Sequence, residues 1–309
     1  MRKARDLKAQ LQQSIFAHSA FADLSLLLVA IVWGSSYSVA KTALAYMPVL
    51  AFLFVRFAIT SAMMLPVTGR SLSRQPIATL KAGIPLGLIL FFIFICETAG
   101  IANTSASNAA FLISLCVVLT PIVEGTTFRR FPGWGILGAA GLSCVGAGLL
   151  ALQSGYELNV GDWLMLGAAL LRACMVTATK KITEGKPLDS GALTVVQLIT
   201  VSVLTGFVLT IFGGQFNGES LVLPPQPIFW IATLYLCAVC TLFPFYIQTH
   251  MVRKTTPTRV SLLMGTEPVF GALFAVALLS EEISLQSYIG GALIVIATYI
   301  GIRQENARV

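Results

Sequence analysis

Ten apolar runs, each close to the length of a membrane-crossing helix, take up most of this chain. They cover roughly residues 24–42, 48–68, 81–100, 106–127, 134–152, 161–179, 190–212, 227–249, 258–279 and 285–302. A spanning helix needs about 20 mostly apolar residues, so the ten runs leave room for short connections and no soluble domain. The runs are continuous and lack the alternation of a transmembrane β-strand, which argues against a barrel. Composition points the same way. Only 11% of the residues are charged, against about 25% in a soluble domain, and the mean hydropathy is +0.85. A soluble enzyme, a disordered chain and a nucleic-acid binder are excluded. The expected fold class is an all-α integral membrane protein with ten transmembrane helices.

The net charge of +7 has a topological reading. Short loops rich in Lys and Arg stay on the cytoplasmic side. With the N-terminus inside, 17 of the 20 basic residues fall on that side: Arg2, Lys3, Arg5 and Lys8 before the first span, then Arg70, Arg74 and Lys81, then Arg129 and Arg130. Lys180, Lys181 and Lys186 follow, then Arg253, Lys254 and Arg259, and finally Arg303 and Arg308. Lys41 alone goes to the other side, while Arg56 and Arg172 lie within spans. Glu157, Asp162, Glu219, Glu281 and Glu282 belong to the opposite face. One span missed or invented would scramble the alternation, so both termini are expected in the cytoplasm. The basic start resembles a signal peptide, with Ala43-Leu44-Ala45 as a cleavage signature. Cleavage there would break the internal repeat, so the first helix is read as uncleaved.

The chain matches itself. Asp23 and Lys41 bracket the first span, Asp162 and Lys180 the sixth, with the same spacing; the offset of 139 also sets Pro48 on Pro187. Further along, an offset of 152 sets Gly138 on Gly290 and Arg129-Arg130 on Glu281-Glu282. The difference falls in the Gly- and Pro-rich loop 213–226. The expected organisation is a cytoplasmic segment 1–23, a five-span repeat over 24–152, a second over 161–302 and a tail 303–309. Five is odd, so the second copy is inverted, and the exchange of Arg-Arg for Glu-Glu is what inversion requires. Inverted repeats with a midplane site between them are the architecture of alternating-access carriers.

Several motifs, in order across both halves, resemble the EamA-type carriers of the drug/metabolite transporter superfamily. They are Trp33-Gly34-Ser35-Ser36 on the first span, Arg56 on the second, and Thr104-Ser105-Ala106-Ser107-Asn108-Ala109-Ala110-Phe111-Leu112 entering the fourth. In the second half they are Glu267-Pro268-Val269-Phe270, Leu279-Ser280-Glu281-Glu282 and Gly290-Gly291-Ala292-Leu293-Ile294. The resemblance covers about residues 24–302. It implies a secondary transporter, not an enzyme, exporting amino acids or related small metabolites across a bacterial inner membrane without ATP. One departure is that the first repeat lacks the Glu-Pro pair and has Leu115-Cys116 there.

Charges at membrane depth cost about 2.5 kcal/mol or more and are usually buried and functional. Glu267 precedes Pro268, which is expected to kink the ninth helix; Glu267 then contacts substrate or a proton, or only caps the kink. Glu97 lines a cavity or snorkels to the outer interface. Glu124 sits close enough to Arg129 and Arg130 for an interfacial ion pair. Arg56 needs either a structural carboxylate partner or a substrate carboxylate. Arg172 aligns by internal symmetry with Trp33, and both are expected to face a central cavity. Trp33, Ser36 and Tyr37 share a helical neighbourhood, while Asn108, Gln197, Tyr246 and His250 could add hydrogen bonds to that cavity or between helices. Lys41 and Lys180 read as interface anchors.

The six cysteines all lie within spans, and two histidines, His18 and His250, complete no metal site with them, so no cofactor is expected. The glycines of the fifth span and of the tenth permit close helix approach; they read as packing behind the cavity, with a homodimer face as the further option. The partners implied are a small-molecule substrate and membrane lipid. A channel or a structural membrane protein is the alternative function. An intramembrane enzyme is disfavoured, because no Ser-His pairing stands at credible spacing. Substrate, direction, coupling and oligomeric state do not follow from the sequence.

Overall fold

The computed structural model describes residues 2–151, 158–212, 221–279 and 285–308. Among them there are helices and linkers and no strand. In chain order they are α1 (Arg2–Leu44), α2 (Val49–Arg74), α3 (Pro76–Asn103), α4 (Ala106–Ser114), α5 (Cys116–Phe128), α6 (Trp134–Ala151), α7 (Val160–Thr183) and α8 (Ser190–Phe212). Then α9 (Pro227–Cys237) passes through a π-helical turn, Ala238–Leu242, into α10 (Phe243–Lys254). Last come α11 (Pro257–Met264), α12 (Glu267–Leu279) and α13 (Leu285–Arg308).

Each expected run falls on a helix or a pair of helices. Seven stretches are long and apolar enough to cross a membrane among the described residues: Phe21–Leu44, Val49–Arg74, Pro76–Asn103, Asn108–Phe128, Val160–Thr183, Ser190–Ile211 and Pro227–Lys254. A shorter apolar helix spans Trp134–Leu149. α1 begins at Arg2 and continues through Asp23 into the first span, and the last helix continues to Arg308. Apolar runs mark where a helix is buried in lipid and not where its hydrogen-bonded backbone ends. Glu157, Glu219, Glu281 and Glu282 lie outside the described residues.

Local chemistry explains the helix ends. Pro76, Pro227 and Pro257 stand in first turns, where a missing N–H costs nothing. Asn159 and Asp162 form a reciprocal capping box at α7. Ser105 Oγ accepts from the Asn108 N–H, and Thr256 Oγ1 from the Arg259 N–H, both at 3.1 Å, opening α4 and α11 in the same way. These two short helices also end alike. Leu115 closes α4 at φ −60°, ψ −13°, and Gly265 closes α11 at φ −60°, ψ −9°. So the expected kink at Pro268 is displaced: the break is at Gly265–Thr266, and Pro268 sits inside the first turn of α12.

Packing is paired. α2 lies along α8, α3 along α7, and α6 along α13. α1 packs on α9, α10 and α12, while α7 packs on α3, α4 and α5. Between α6 and α13 the approach is close enough that a Cβ on Gly146 would stand 2.7 Å from the Gly290 carbonyl oxygen, whereas Gly138 and Gly141 face open space.

The two ends of the bundle are tied by polar contacts. At the end where α1 finishes, Lys41 Nζ donates to the Thr104 carbonyl at 2.6 Å, and Thr104 Oγ1 donates to Asp162 Oδ1 at 2.7 Å. At the opposite end, which carries the basic loops, Arg259 donates Nε and Nη2 to the two carboxylate oxygens of Asp23, each at 2.7 Å. Lys180 Nζ reaches the Arg253 carbonyl there at 3.1 Å. Glu124 does not form the expected ion pair with Arg129 or Arg130. Its Oε2 accepts from the backbone N–H of Thr258 at 2.8 Å and from the Thr258 hydroxyl, capping the start of α11.

Candidate functional site

Near the middle of the bundle, α1 crosses the break between α11 and α12. The crossing depends on Gly34, because a Cβ there would lie 2.8 Å from the Gly271 nitrogen and 3.0 Å from the Glu267 carbonyl oxygen. With the two backbones this close, Tyr37 donates its hydroxyl to Glu267 Oε1. Arg172, from α7, donates Nη1 to Glu267 Oε2 at 3.3 Å. The Arg172 guanidinium also stands 4.2 Å from the centre of the Trp33 ring, within cation–π range. Glu267 is 1% exposed and Tyr37 2%. A buried carboxylate is tolerable at that depth because a cation and a hydroxyl meet it. Its place in the first turn of α12 adds the favourable end of the helix dipole.

A second cluster joins the first through Trp33. Its Nε1 donates to the Cys240 carbonyl at 2.9 Å, inside the π-helical turn. Thr241, next in that turn, receives Arg56 Nε at 3.0 Å and Nη2 at 2.8 Å. The Arg56 guanidinium lies 5.3 Å from the Phe94 ring centre and 5.7 Å from that of Phe57. Rings continue from Phe57 to Phe94 at 4.5 Å, to Phe245 at 5.6 Å and to Trp33 at 5.4 Å.

The two clusters enclose a cavity lined by Trp33, Ser36, Arg56, Leu90, Ile93, Phe94, Glu97, Arg172, Met175, Val176, Phe245 and Gln248. Its free space is about 20 Å³, room for about one water molecule. Of the residues expected at a cavity, Trp33, Ser36, Arg56, Glu97 and Arg172 line this one, and Tyr37 and Glu267 stand behind Arg172. Three do not reach its wall. Asn108 is buried in the first turn of α4. Gln197 is fully buried on α8, with neither side-chain amide atom hydrogen-bonded among the described residues. Tyr246 stacks on His250, ring centres 5.9 Å apart, in a separate open pocket of about 790 Å³ at the basic end, beside Lys180, Lys186, Arg253 and Lys254. Sequence reasoning missed Thr241, Gln248 and Phe245; the signal it passed over is Pro244, two residues past the π-helical turn and without the N–H that would bond the Cys240 carbonyl.

Comparison with known proteins agrees with this architecture. The model of the EamA-like transporter family matches the chain twice, at residues 20–152 and 159–302. An uncharacterized transporter of Archaeoglobus fulgidus is 28% identical over 91% of this chain and 85% of its own length. A probable amino-acid metabolite efflux pump of Salmonella typhimurium is 25% identical over 89% of this chain and 93% of its own. A protein of known crystal structure shares the fold, with a TM-score of 0.74 over 93% of this chain and 98% of its own at 15% identity. The chain belongs to the EamA-like transporter family.

Proposed function

We propose that this transporter is a secondary carrier exporting amino acids or related small metabolites across a bacterial inner membrane by alternating access. The carrying observation is the central cavity, where charges of both signs stand at membrane depth and Arg172 on the wall meets Glu267 just past the break between α11 and α12. A broken helix beside a site between repeats is a recurring feature of such carriers.

Ten spans in two inverted five-helix repeats, 24–152 and 161–302, are part of this reading. The twofold family match supports it, as do the like caps at Ser105 and Thr256 and the exchange-related pairing of α1 with α12 and of α7 with α5. The clustering of Lys and Arg at one end supports a cytoplasmic position for both termini. The relatives named as amino-acid metabolite efflux pumps favour that substrate class and an outward direction. Arg172 and Glu267 are required for transport on this reading, since their contacts with Trp33 and Tyr37 join the second half to the first beside the cavity.

The test is counterflow in proteoliposomes preloaded with an amino-acid mixture. Saturable, trans-stimulated exchange is expected, and Arg172→Gln or Glu267→Gln inserts normally but loses it. Linear, unsaturable flux would identify a pore instead, and wild-type exchange by both variants would remove these residues from the site.

A further inference from the structure

Two charges in the central cavity, Arg56 and Glu97, are not closed into a direct ion pair among the described residues. Arg56 spends Nε and Nη2 on one neutral hydroxyl, that of Thr241, and no carboxylate pairs with it among the described residues. Glu97, on the same cavity wall, makes no hydrogen bond or ion pair among the described residues. Arg172 and Glu267, by contrast, satisfy each other and are completed by Trp33 and Tyr37.

Arg56 and Glu97 are also at the same depth. Arg56 is seven residues into α2 and Glu97 six residues short of the end of α3. At 1.5 Å per residue each is about 10 Å from its helix end. Those ends lie on one side of the bundle, because Lys41 near the end of α1 bonds Thr104 just past α3. The two charges nevertheless do not close on each other, since the Thr241 hydroxyl and the face of Phe94 hold the guanidinium aside. A charge at membrane depth without a direct partner is costly, a cost that a ligand carrying both opposite charges offsets.

We infer that Arg56 and Glu97 are the substrate contacts, taking respectively the carboxylate and the ammonium of an α-amino acid whose apolar side chain rests against Leu90, Phe94, Met175 and Phe245. The inference rests on the carrier reading above and divides the labour within it: Arg172–Glu267 joins the helices, while Arg56 and Glu97 read the ligand. Of the three charges on the cavity wall, Arg172 is already paired with Glu267, and the remaining positive Arg56 and negative Glu97 match a zwitterion. With free space of about 20 Å³, the wall must part to admit the ligand, and the π-helical turn that carries Thr241 borders that wall.

The experiment is calorimetric titration of the full-length protein in nanodiscs with leucine, methionine and phenylalanine. Their methyl esters, which lack the carboxylate, and their N-acetyl derivatives, which lack the ammonium, complete the panel. At least one free amino acid is expected to bind at least tenfold more tightly than both of its derivatives. Arg56→Gln is expected to erase the preference over the ester, and Glu97→Gln the preference over the N-acetyl form. If Arg56→Gln does not insert, Glu97→Gln alone decides. The inference is overturned if no amino acid binds, if both preferences survive the substitutions, or if they vanish instead in Glu267→Gln. Counterflow keeps the two proposals separate. Selective binding without exchange overturns the carrier reading alone, and exchange of other solutes without amino-acid binding overturns this inference alone.

Discussion

Tyr37 and Glu267, 230 residues apart in the chain, share a hydrogen bond at the centre of the bundle, and Arg172 completes the contact from the opposite side of the carboxylate. Three helices, α1, α7 and α12, are thereby tied at one point. Removing one partner of a buried ion pair strands the other charge, at a cost of about 3–5 kcal/mol. Glu267→Gln and Arg172→Gln are each expected to lower the unfolding temperature of the purified protein markedly. The double variant should lose less than the sum, by at least about 1 kcal/mol. A double-mutant cycle by thermal unfolding in detergent checks this, and strict additivity would mean that the pair is not coupled.

Gly34 sets where that contact forms. Alanine there puts a methyl group 2.8 Å from backbone on α12, a neighbour that cannot rotate away. Overpacking of this kind costs about 1–3 kcal/mol, and it should separate Tyr37 from Glu267. Gly34→Ala is expected to reduce both stability and transport, whereas Gly138→Ala, which meets open space, should change neither. Equal stability of the two variants would contradict the close crossing.

Trp33 has two separable roles: its ring faces Arg172 and its N–H holds the Cys240 carbonyl of the π-helical turn. Phenylalanine keeps a ring and loses the donor. Trp33→Phe should cost about 1–2 kcal/mol through the lost hydrogen bond, and Trp33→Ala about 3–5 kcal/mol with the cavity added. Unfolding midpoints of the two variants provide the measurement; a Phe variant as stable as the parent would mean that the turn holds without its tie.

The two ends should respond in opposite senses. Asp23 and Arg259 tie the basic end, and Thr104 and Asp162 the other. Asp23→Asn removes a part-buried ion pair, and loss of about 1.4 kcal/mol corresponds to a tenfold shift in an opening equilibrium. In a cysteine-free background with Ser36→Cys in the cavity, a membrane-impermeant maleimide should label about tenfold faster from the basic end. Asp162→Asn should speed labelling from the opposite side. Unchanged rates from both sides would show that these contacts do not restrain opening.

Much of the bundle was legible because lipid selects for one property, continuous apolarity, over a fixed length. The repeat was legible for a related reason: Asp23, Lys41, Asp162 and Lys180 recur where helices leave the apolar layer. Membership of a cavity was harder to read. A helix that is apolar all round carries no hydrophobic stripe to fix its rotation, so Gln197 and Tyr246 could be assigned a depth but not a facing direction. Arg56, Arg172 and Glu267 escaped this ambiguity because a charge cannot face lipid cheaply. The break before α12 was assigned to Pro268, although Gly265 ends the preceding helix and the proline fits the turn that follows. Leu115, which ends α4 in the same conformation, carries no breaker residue at all. The helices on both sides of that break, α4 and α5, pack against α7 and α6, contacts that no local pattern encodes.

The narrowness of the central void has a consequence for the cell's energy supply. Protons move through proteins along files of hydrogen-bonded water, and a space with room for about one molecule cannot hold such a file. A proton leak is therefore expected only in variants that wet the centre, where Arg56, Glu97 and Arg172 line the void.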